Sequence, residues 1–296
     1  MGKLLHADLR GIRRLIKKFL FNCRHFSTSK QKILPTDILV FPEFLSPKII
    51  HIINDHAFIL FNQNIYANSV LDNWLNLNQP IFQHKNLLGV ITNTIHGFEF
   101  LSYRFPSCTI QYIPQSINPQ LFSPHEKKEK ILSFLSRKGA NDLTQVLQNL
   151  FTKNLLKDWQ LIDIQKLNPK EVSQIMKKSK VYLASGTREG FGLPPAEAMA
   201  CGCVVVGYHG IGGKEYFNTH TGFPIEENDL LDFLKKSSEI IENINKNFNH
   251  YDSFCERATK HILEKYPLQN EVDKISQVFL EFIDQAIAQH NHQSQS

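Results

Sequence analysis

An α/β protein of two parallel-sheet units is what this chain predicts, and three observations carry that expectation. Its 296 residues suffice for two domains with real cores, at roughly 100–200 residues each. Beyond residue 35, short apolar runs alternate with longer amphipathic segments, the pattern of strand–helix–strand units around a parallel sheet. A stretch rich in Pro, Lys and Glu, Pro114–Lys130, divides the runs into two series.

In the first series the predicted strands are Asp37–Phe41, Ala57–Phe61, Leu88–Thr92 and Thr109–Ile113. In the second they are Ile131–Leu135, Trp159–Ile164, Lys180–Ala184 and Cys203–Gly207. Each is short and rich in Ile, Val, Leu or Phe, as strands covered on both faces should be. Helix signals fall between them. Asn141 or Asp142 caps Leu143–Leu150, Asn168 and Pro169 open Lys170–Lys177, and Pro194 with Pro195 opens a short helix that ends at Gly202. Long helical segments, Asp229–Asn245 and Glu271–Ala288, close the chain, and the polar tail Gln289–Ser296 is expected to be disordered. No repeat of solenoid period is present. The expected division is a leader at 1–35, a short α/β domain at 36–122, a second α/β domain at 123–270, and a C-terminal helix and tail at 271–296.

With 42% hydrophobic and 21% charged residues the composition is that of a soluble globular chain. No apolar run approaches the ~18–20 residues that a spanning helix needs. The net charge of +5 is unevenly placed: residues 1–35 hold nine Lys or Arg and a single acid, Asp8. The remainder is therefore net negative, which argues against a nucleic-acid-binding body. Within the leader, Leu5, Leu9, Ile12, Ile16, Phe19 and Cys23 recur at spacings of three or four with basic residues between them. Three placements of this basic amphipathic helix stay open: on an anionic membrane surface, packed on the first domain, or as a transit-type presequence. Five cysteines, of which only Cys201 and Cys203 are close, make neither a disulfide framework nor a zinc site. A reduced, cytoplasmic protein, peripheral at a membrane in the first of those placements, is the expectation.

The most informative stretch runs from Ser185 to Gly202 and contains Glu189-Gly-Phe-Gly-Leu-Pro-Pro-Ala-Glu197. It follows a predicted strand and enters a helix, so it sits where open α/β sheets bind ligands. Gly190 and Gly192 let a ligand approach the backbone. The helix opening near Pro194 directs free N–H groups and positive dipole at the same space, which suits an anion. Glu197, placed in the first turn, can accept two ribose hydroxyls, and Glu189 reaches the pocket from the other side of the glycines.

These residues resemble the E-x₇-E signature of retaining, nucleotide-sugar-dependent glycosyltransferases of the GT-B fold (glycosyl transferases group 1, family 4-like). The similarity continues through Glu197-Ala-Met-Ala-Cys-Gly-Cys-Val-Val-Val206 and a glycine loop, Gly210, Gly212, Gly213 and Glu215. It is strong over about 130–230, weaker over 36–129 and absent over 1–35. The resemblance implies two Rossmann-type domains facing a cleft, the first of them truncated here. It also implies that Glu197 binds the ribose, that Glu189 holds donor-sugar hydroxyls, and that amides around Phe191, Gly192 and Leu193 line the sugar and diphosphate. A cationic clamp is implied after the first strand of the second domain. Arg137 and Lys138 are the candidates; in the family such residues are spaced further apart, so one of this adjacent pair is expected to point to solvent, and an exposed basic turn is the alternative, more so for Lys138 than for Arg137. Fixed cations there stabilise the charge that develops on a leaving nucleoside diphosphate.

No Asp-x-Asp occurs, so neither a metal nor any other cofactor is expected, the nucleotide-diphosphate sugar being a co-substrate. His209 and His220 lie near the glycine loop without ligand-spaced partners and read as surface or supporting groups. The implied partners are a nucleotide-sugar donor, a glycan or lipid-linked acceptor and an anionic membrane surface, with no nucleic acid.

The first domain departs from the family pattern. No glycine pair precedes Asp37–Phe41, and where family members often place a histidine the chain reads Phe61-Asn-Gln-Asn-Ile-Tyr66. Asn62, Gln63 and Asn64 could bond a sugar or acceptor, or simply form a turn, which Asn favours. Thr92-Asn93-Thr94 is a weaker candidate. Two functions of different class therefore stand: sugar transfer with retention and without a metal, or a non-catalytic sugar-nucleotide-binding or scaffold protein derived from such an enzyme. Signatures of a GT-B epimerase or phosphorylase are not apparent.

Overall fold

A computed structural model describes residues 34, 36–43, 50–67, 81–124 and 127–293. The basic leader and its proposed amphipathic helix lie outside the described residues. Two wholly parallel sheets form the frame. The first has the strand order β1 (Leu39–Pro42), β2 (Phe58–Asn62), β3 (Leu87–Thr92), β4 (Ile110–Tyr112). Helix α1 (Ile50–Asp55) lies between β1 and β2 in the chain, and α2 (Ile95–Arg104) between β3 and β4. Neighbours on these strands point to opposite faces: Phe58, Leu60 and Val90 enter one core, Ile59 and Ile91 the other.

The second sheet contains β5 (Glu129–Phe134), β6 (Gln160–Asp163), β7 (Ser179–Ala184), β8 (Val204–Tyr208) and β9 (Phe223–Ile225), in the order β6-β5-β7-β8-β9. Its helices are α3 (Ala140–Thr152), α4 (Pro169–Lys178), α5 (Leu193–Ala200), α6 (Leu230–Lys246) and α7 (Asp252–Lys265). Val181 and Leu183 of β7 join Leu143 of α3 and Phe233 of α6 in one core. Tyr182 and Ala184 join Met176 of α4 and the buried face of α5 in the other. Every residue of β7 is buried, Lys180 included, whose ammonium pairs with Asp252 at 2.5 Å and lies over the Phe248 ring. A buried lysine is tolerated only with such partners.

All eight predicted strands and the five predicted helices are present, with ends shifted by a few residues. Several expectations are corrected. Neither Asn141 nor Asp142 caps α3; Gly139 does, in the left-handed region at φ 68. Asp142 instead lies in the first turn and accepts from the Tyr208 hydroxyl at 2.7 Å. The last helix, α8 (Leu268–Gln293), begins before Glu271 and runs through much of the segment expected to be disordered. Nor is α8 a separate appendage. Its Ile275, Val278 and Phe282 pack on Ile59, Leu88 and Ile91, so the chain returns from the second unit to cover the first sheet. Strand β9 and helices α1, α2 and α7 are additions to the sequence reading.

Candidate functional site

The strand order of the second sheet reverses between β5 and β7, since the chain leaves β5 for β6 on one side and returns to β7 on the other, all strands staying parallel. Ligands of open α/β sheets bind outside the carboxyl ends of such a pair of strands. Two loops meet there, Leu135–Gly139 after β5 and Ser185–Gly192 after β7. Ser185 Oγ donates to the Lys138 carbonyl at 2.8 Å. A Cβ on Gly139 would lie 1.9 Å from the Ser185 carbonyl oxygen, so both contact and φ require glycine.

At this junction Lys138 Nζ forms an ion pair with Glu189 Oε2, the two carboxyl-end loops thereby joined by opposite charges. Of the two predicted cations, then, it is Lys138 that turns to this junction. Arg137 is exposed and has no ion-pair partner among the described residues.

Glu189 is held from several sides. Its N–H donates to Gly210 O at 2.9 Å, and its backbone bridges Ile211 in parallel register. Phe191 is buried against Tyr216 and Tyr266, with ring centroids 4.8 and 5.2 Å away, and the Tyr216 hydroxyl donates to the Gly192 carbonyl. The glycine-rich loop is thus braced by an aromatic cluster, and Gly192, the N-cap of α5, is fixed with it.

Glu197 differs from expectation in position. Helix α5 starts at Leu193, so Glu197 is its fifth residue and lies outside the first turn. A helix-dipole role therefore does not account for it. Burial pushes its carboxyl up to about 7, and no hydrogen-bond donor reaches it among the described residues. A half-buried carboxylate without a partner is set up to accept hydroxyls from a ligand.

The first unit closes over this loop. A Cβ on Gly190 would lie 1.8 Å from the Gln63 carbonyl oxygen, so the space read as ligand approach is filled by the other half of the molecule. Asn64 Nδ2 donates to Arg188 O at 3.1 Å, and its Oδ1 accepts from Tyr66 N–H at 3.0 Å. Both ends of that amide are engaged, in a turn and in a bridge between units. Asn62 is buried at the end of β2. Asn93 donates to Gln115 at 3.1 Å, while its Oδ1 is buried without a donor.

Three residues that sequence reasoning missed or undervalued lie around these loops. Glu43, buried just after β1, accepts from Gln63 N–H at 3.3 Å and faces Asn64 N–H; burial raises its carboxyl above the usual range. Glu215 Oε2 accepts from Ile95 N–H at 2.9 Å, and its Oε1 from the Tyr266 hydroxyl at 3.2 Å. His209, read as a surface or supporting group, is buried and lines the cavity; His220 is exposed. The cavity measures about 30 Å³ and is lined by Lys138, Ser185, Glu189, Gly192, Pro194 and His209 among others. Small-molecule sites run to roughly 300–1,000 Å³, so the loops that line this cavity, all of the second unit, must open further to take a ligand of nucleotide size. Among the described residues, no three His, Cys, Asp or Glu side chains converge as a metal ion would need. No described helix is long and apolar enough to cross a membrane.

Comparison with known proteins gives the setting for this geometry. Residues 128–261 match the family Glycosyl transferases group 1. An alpha-1,6-glucosyltransferase of Actinobacillus pleuropneumoniae serotype 7 is 24% identical over 173 residues, 56% of this chain and 52% of that protein. The match thus spans about half the length of that relative. Among solved structures, sucrose-phosphate synthase from Thermosynechococcus elongatus superposes with a TM-score of 0.62 at 13% identity, over 83% of this chain and 74% of its own. The pneumococcal O-GlcNAc transferase GtfA, in complex with UDP and GlcNAc, gives 0.59 at 14% identity over 93% and 60%. Anabaena HepE, with UDP and glucose, gives 0.54 at 14% over 77% and 72%. Residues 128–261 are thus similar to the Glycosyl transferases group 1 family, in a chain with the two-unit GT-B fold.

Proposed function

We propose that the protein transfers a sugar from a nucleoside-diphosphate sugar to an acceptor hydroxyl, with retention at the anomeric carbon and without a divalent metal. The observation that carries this reading is the pairing, at one sheet reversal, of the Lys138–Glu189 ion pair with the unpartnered carboxylate of Glu197. Glu197 accepts the ribose hydroxyls, Glu189 accepts hydroxyls of the donor sugar, and amides at Phe191, Gly192 and Leu193 bind the diphosphate. Lys138 shifts from Glu189 towards the diphosphate as the glycosidic bond breaks and negative charge grows on the leaving group. A lysine point charge and a helix N-terminus supply the stabilisation that a divalent ion gives elsewhere. The acceptor enters from the first unit, and closure of Gln63 and Asn64 on Gly190 excludes water.

Uridine nucleotides head the donor panel because two of the similar structures hold UDP. Incubation with UDP-glucose, UDP-N-acetylglucosamine, GDP-mannose and ADP-glucose, with free sugar and glycan acceptors, tests the reading. Product carrying the donor's anomeric configuration by NMR is expected. Turnover with inversion removes the retaining mechanism, and turnover abolished by chelator and restored by magnesium or manganese removes the metal-free one.

A second reading, sugar-nucleotide binding without transfer, is favoured by one observation. The Asn64 amide, two residues beyond β2, is committed to a turn and an inter-unit bridge. Tight binding of a panel member with no product from any acceptor would select it.

A further inference from the structure

A strained turn follows β8. Ile211 sits at φ 65, ψ −62, and Gly212 N–H donates to Gly210 O at 2.8 Å, a γ-turn of the rare left-handed sense. A β-branched residue in that region is an outlier that persists only where its surroundings fix it. What fixes it is His209, whose Nδ1 accepts the Ile211 N–H at 2.9 Å. An accepting Nδ1 carries no proton, so the neutral ring bears its hydrogen on Nε2. Burial lowers the histidine's pKa, and the groups facing it are Lys214, Glu226 and Glu227. The ring is therefore a neutral Nε2–H donor near pH 7.

Among the described residues that donor has no well-formed hydrogen bond. His209 is 5% exposed and Nε2 is wholly covered. Glu226 Oε2, 3.3 Å away, is the group that faces it, a long contact to a surface carboxylate. The Glu226 side chain is 76% exposed and also pairs with Lys214 at 3.2 Å. Buried donors left in this state are rare and call for a partner. His209 lines the same cavity as Lys138 and Glu189.

We propose that His209 contacts the donor substrate: its Nε2–H gives a hydrogen bond to an oxygen of the sugar-diphosphate portion, beside Glu189 and Lys138, replacing the long contact to the solvent-exposed Glu226 carboxylate. This rests on the transferase reading above. The strained turn then has a purpose, since it sets both the tautomer and the direction of the ring.

Two substitutions separate this role from a purely structural one. His209→Asn places an amide oxygen near the position of Nδ1, keeping the acceptor for Ile211 and deleting the Nε2 donor. His209→Gln carries an amide nitrogen towards the position of Nε2, keeping the donor and losing the acceptor for Ile211. Calorimetric titration with the tightest-binding member of the sugar-nucleotide panel is expected to weaken by about fivefold or more in His209→Asn and by less in His209→Gln. Affinity of His209→Asn for the matching nucleoside monophosphate is expected to equal that of the wild type. The reverse order, equal losses for both ligands, or no loss in His209→Asn each overturns the proposal. If neither variant folds, long-range ¹H–¹⁵N spectra of the wild type decide. An Nε2–H tautomer whose Nε2 resonance moves on adding the sugar nucleotide supports the role, and an Nδ1–H tautomer overturns it. Failure of the wild type to bind any panel member overturns the transferase reading and this inference together. Wild-type binding with an unaffected His209→Asn overturns the inference alone.

Discussion

The carbonyl oxygen of Gln63 stands 1.8 Å from where a Cβ of Gly190 would be, which makes one missing side chain the seat for the opposite half of the molecule. Gly190 is not in the left-handed region, so the demand for glycine here is contact alone. Gly190→Ala is therefore expected to leave each unit folded, since each has its own cores, while preventing full closure. We expect kcat/KM for transfer to fall by about tenfold or more, the scale on which ~1 Å misplacements act. Wild-type kinetics in Gly190→Ala would mean that the units need not meet at this point.

Lys138 and Arg137 make a matched pair for substitution. Lys138 is tied to Glu189, whereas Arg137 is exposed. Lys138→Ala is expected to lower turnover by about ten- to a hundredfold, the worth of a charge-assisted hydrogen bond at ~1.5–3 kcal/mol. Glu189→Gln should fall in the same range, and Arg137→Ala should stay within about twofold. Steady-state kinetics of the three variants checks the order. A larger loss in Arg137→Ala than in Lys138→Ala restores the ranking suggested by sequence.

Glu197 gives a pH signature. Its carboxyl, ordinarily near 4.5, is raised by burial to about 7. Between those values the folded state holds a proton that the unfolded chain has released, so stability falls as pH rises through this window. The cost, once the group is ionised in the folded state, is about 3 kcal/mol. Thermal melts of the wild type and Glu197→Gln should therefore show the variant gaining relative stability from pH 5 to pH 8. Ribose hydroxyls favour the ionised form, so nucleotide affinity should rise about tenfold from pH 6 to pH 8 in the wild type and stay flat in Glu197→Gln. A melting difference independent of pH removes this assignment.

Sequence carried the second unit further than the first. Val181, Leu183 and Val204–Val206 are fully buried strand residues, and continuous apolar runs announce such strands directly. Strand β9 was invisible because Phe223-Pro-Ile225 is three residues long, contains a proline and pairs only with β8, at the sheet edge. Helix α7 was missed because Cys255, Ala258 and Thr259 make up most of its buried face, a stripe too weak to stand out. The amphipathic pattern of α8 marked an apolar face but not the unit it would cover; that depends on Phe282 meeting Gly89 across the first sheet. Glu189, Glu197 and Lys138 were legible because they share one motif or one strand end. Glu43 and His209 were not, because each is a lone residue whose meaning comes from backbone groups brought to it by the fold.

Glu215 supplies the last test, because it joins the glycine loop of the second unit to the first helix turn of the first. The opening N–H groups of a helix have no partner within it. In α2, Thr94 Oγ1 accepts the Gly97 N–H at 2.9 Å, and Glu215 Oε2 accepts the Ile95 N–H at 2.9 Å. The second bond crosses between units, and the Tyr266 hydroxyl completes the carboxylate's shell just before α8 begins. Burial raises the Glu215 carboxyl, while these donors hold it down. Glu215→Ala leaves a helix N–H and a phenol without their acceptor, at a cost of about 1–3 kcal/mol. Glu215→Gln retains one acceptor oxygen and should lose less. If the bond serves closure, hydrogen exchange at Ile95 should accelerate in Glu215→Ala far more than at the strands of either sheet, with kcat/KM falling in parallel. Uniformly faster exchange across both units would instead make Glu215 an ordinary contributor to global stability. Unchanged exchange at Ile95 would show that the α2 N-terminus is held by something other than this carboxylate.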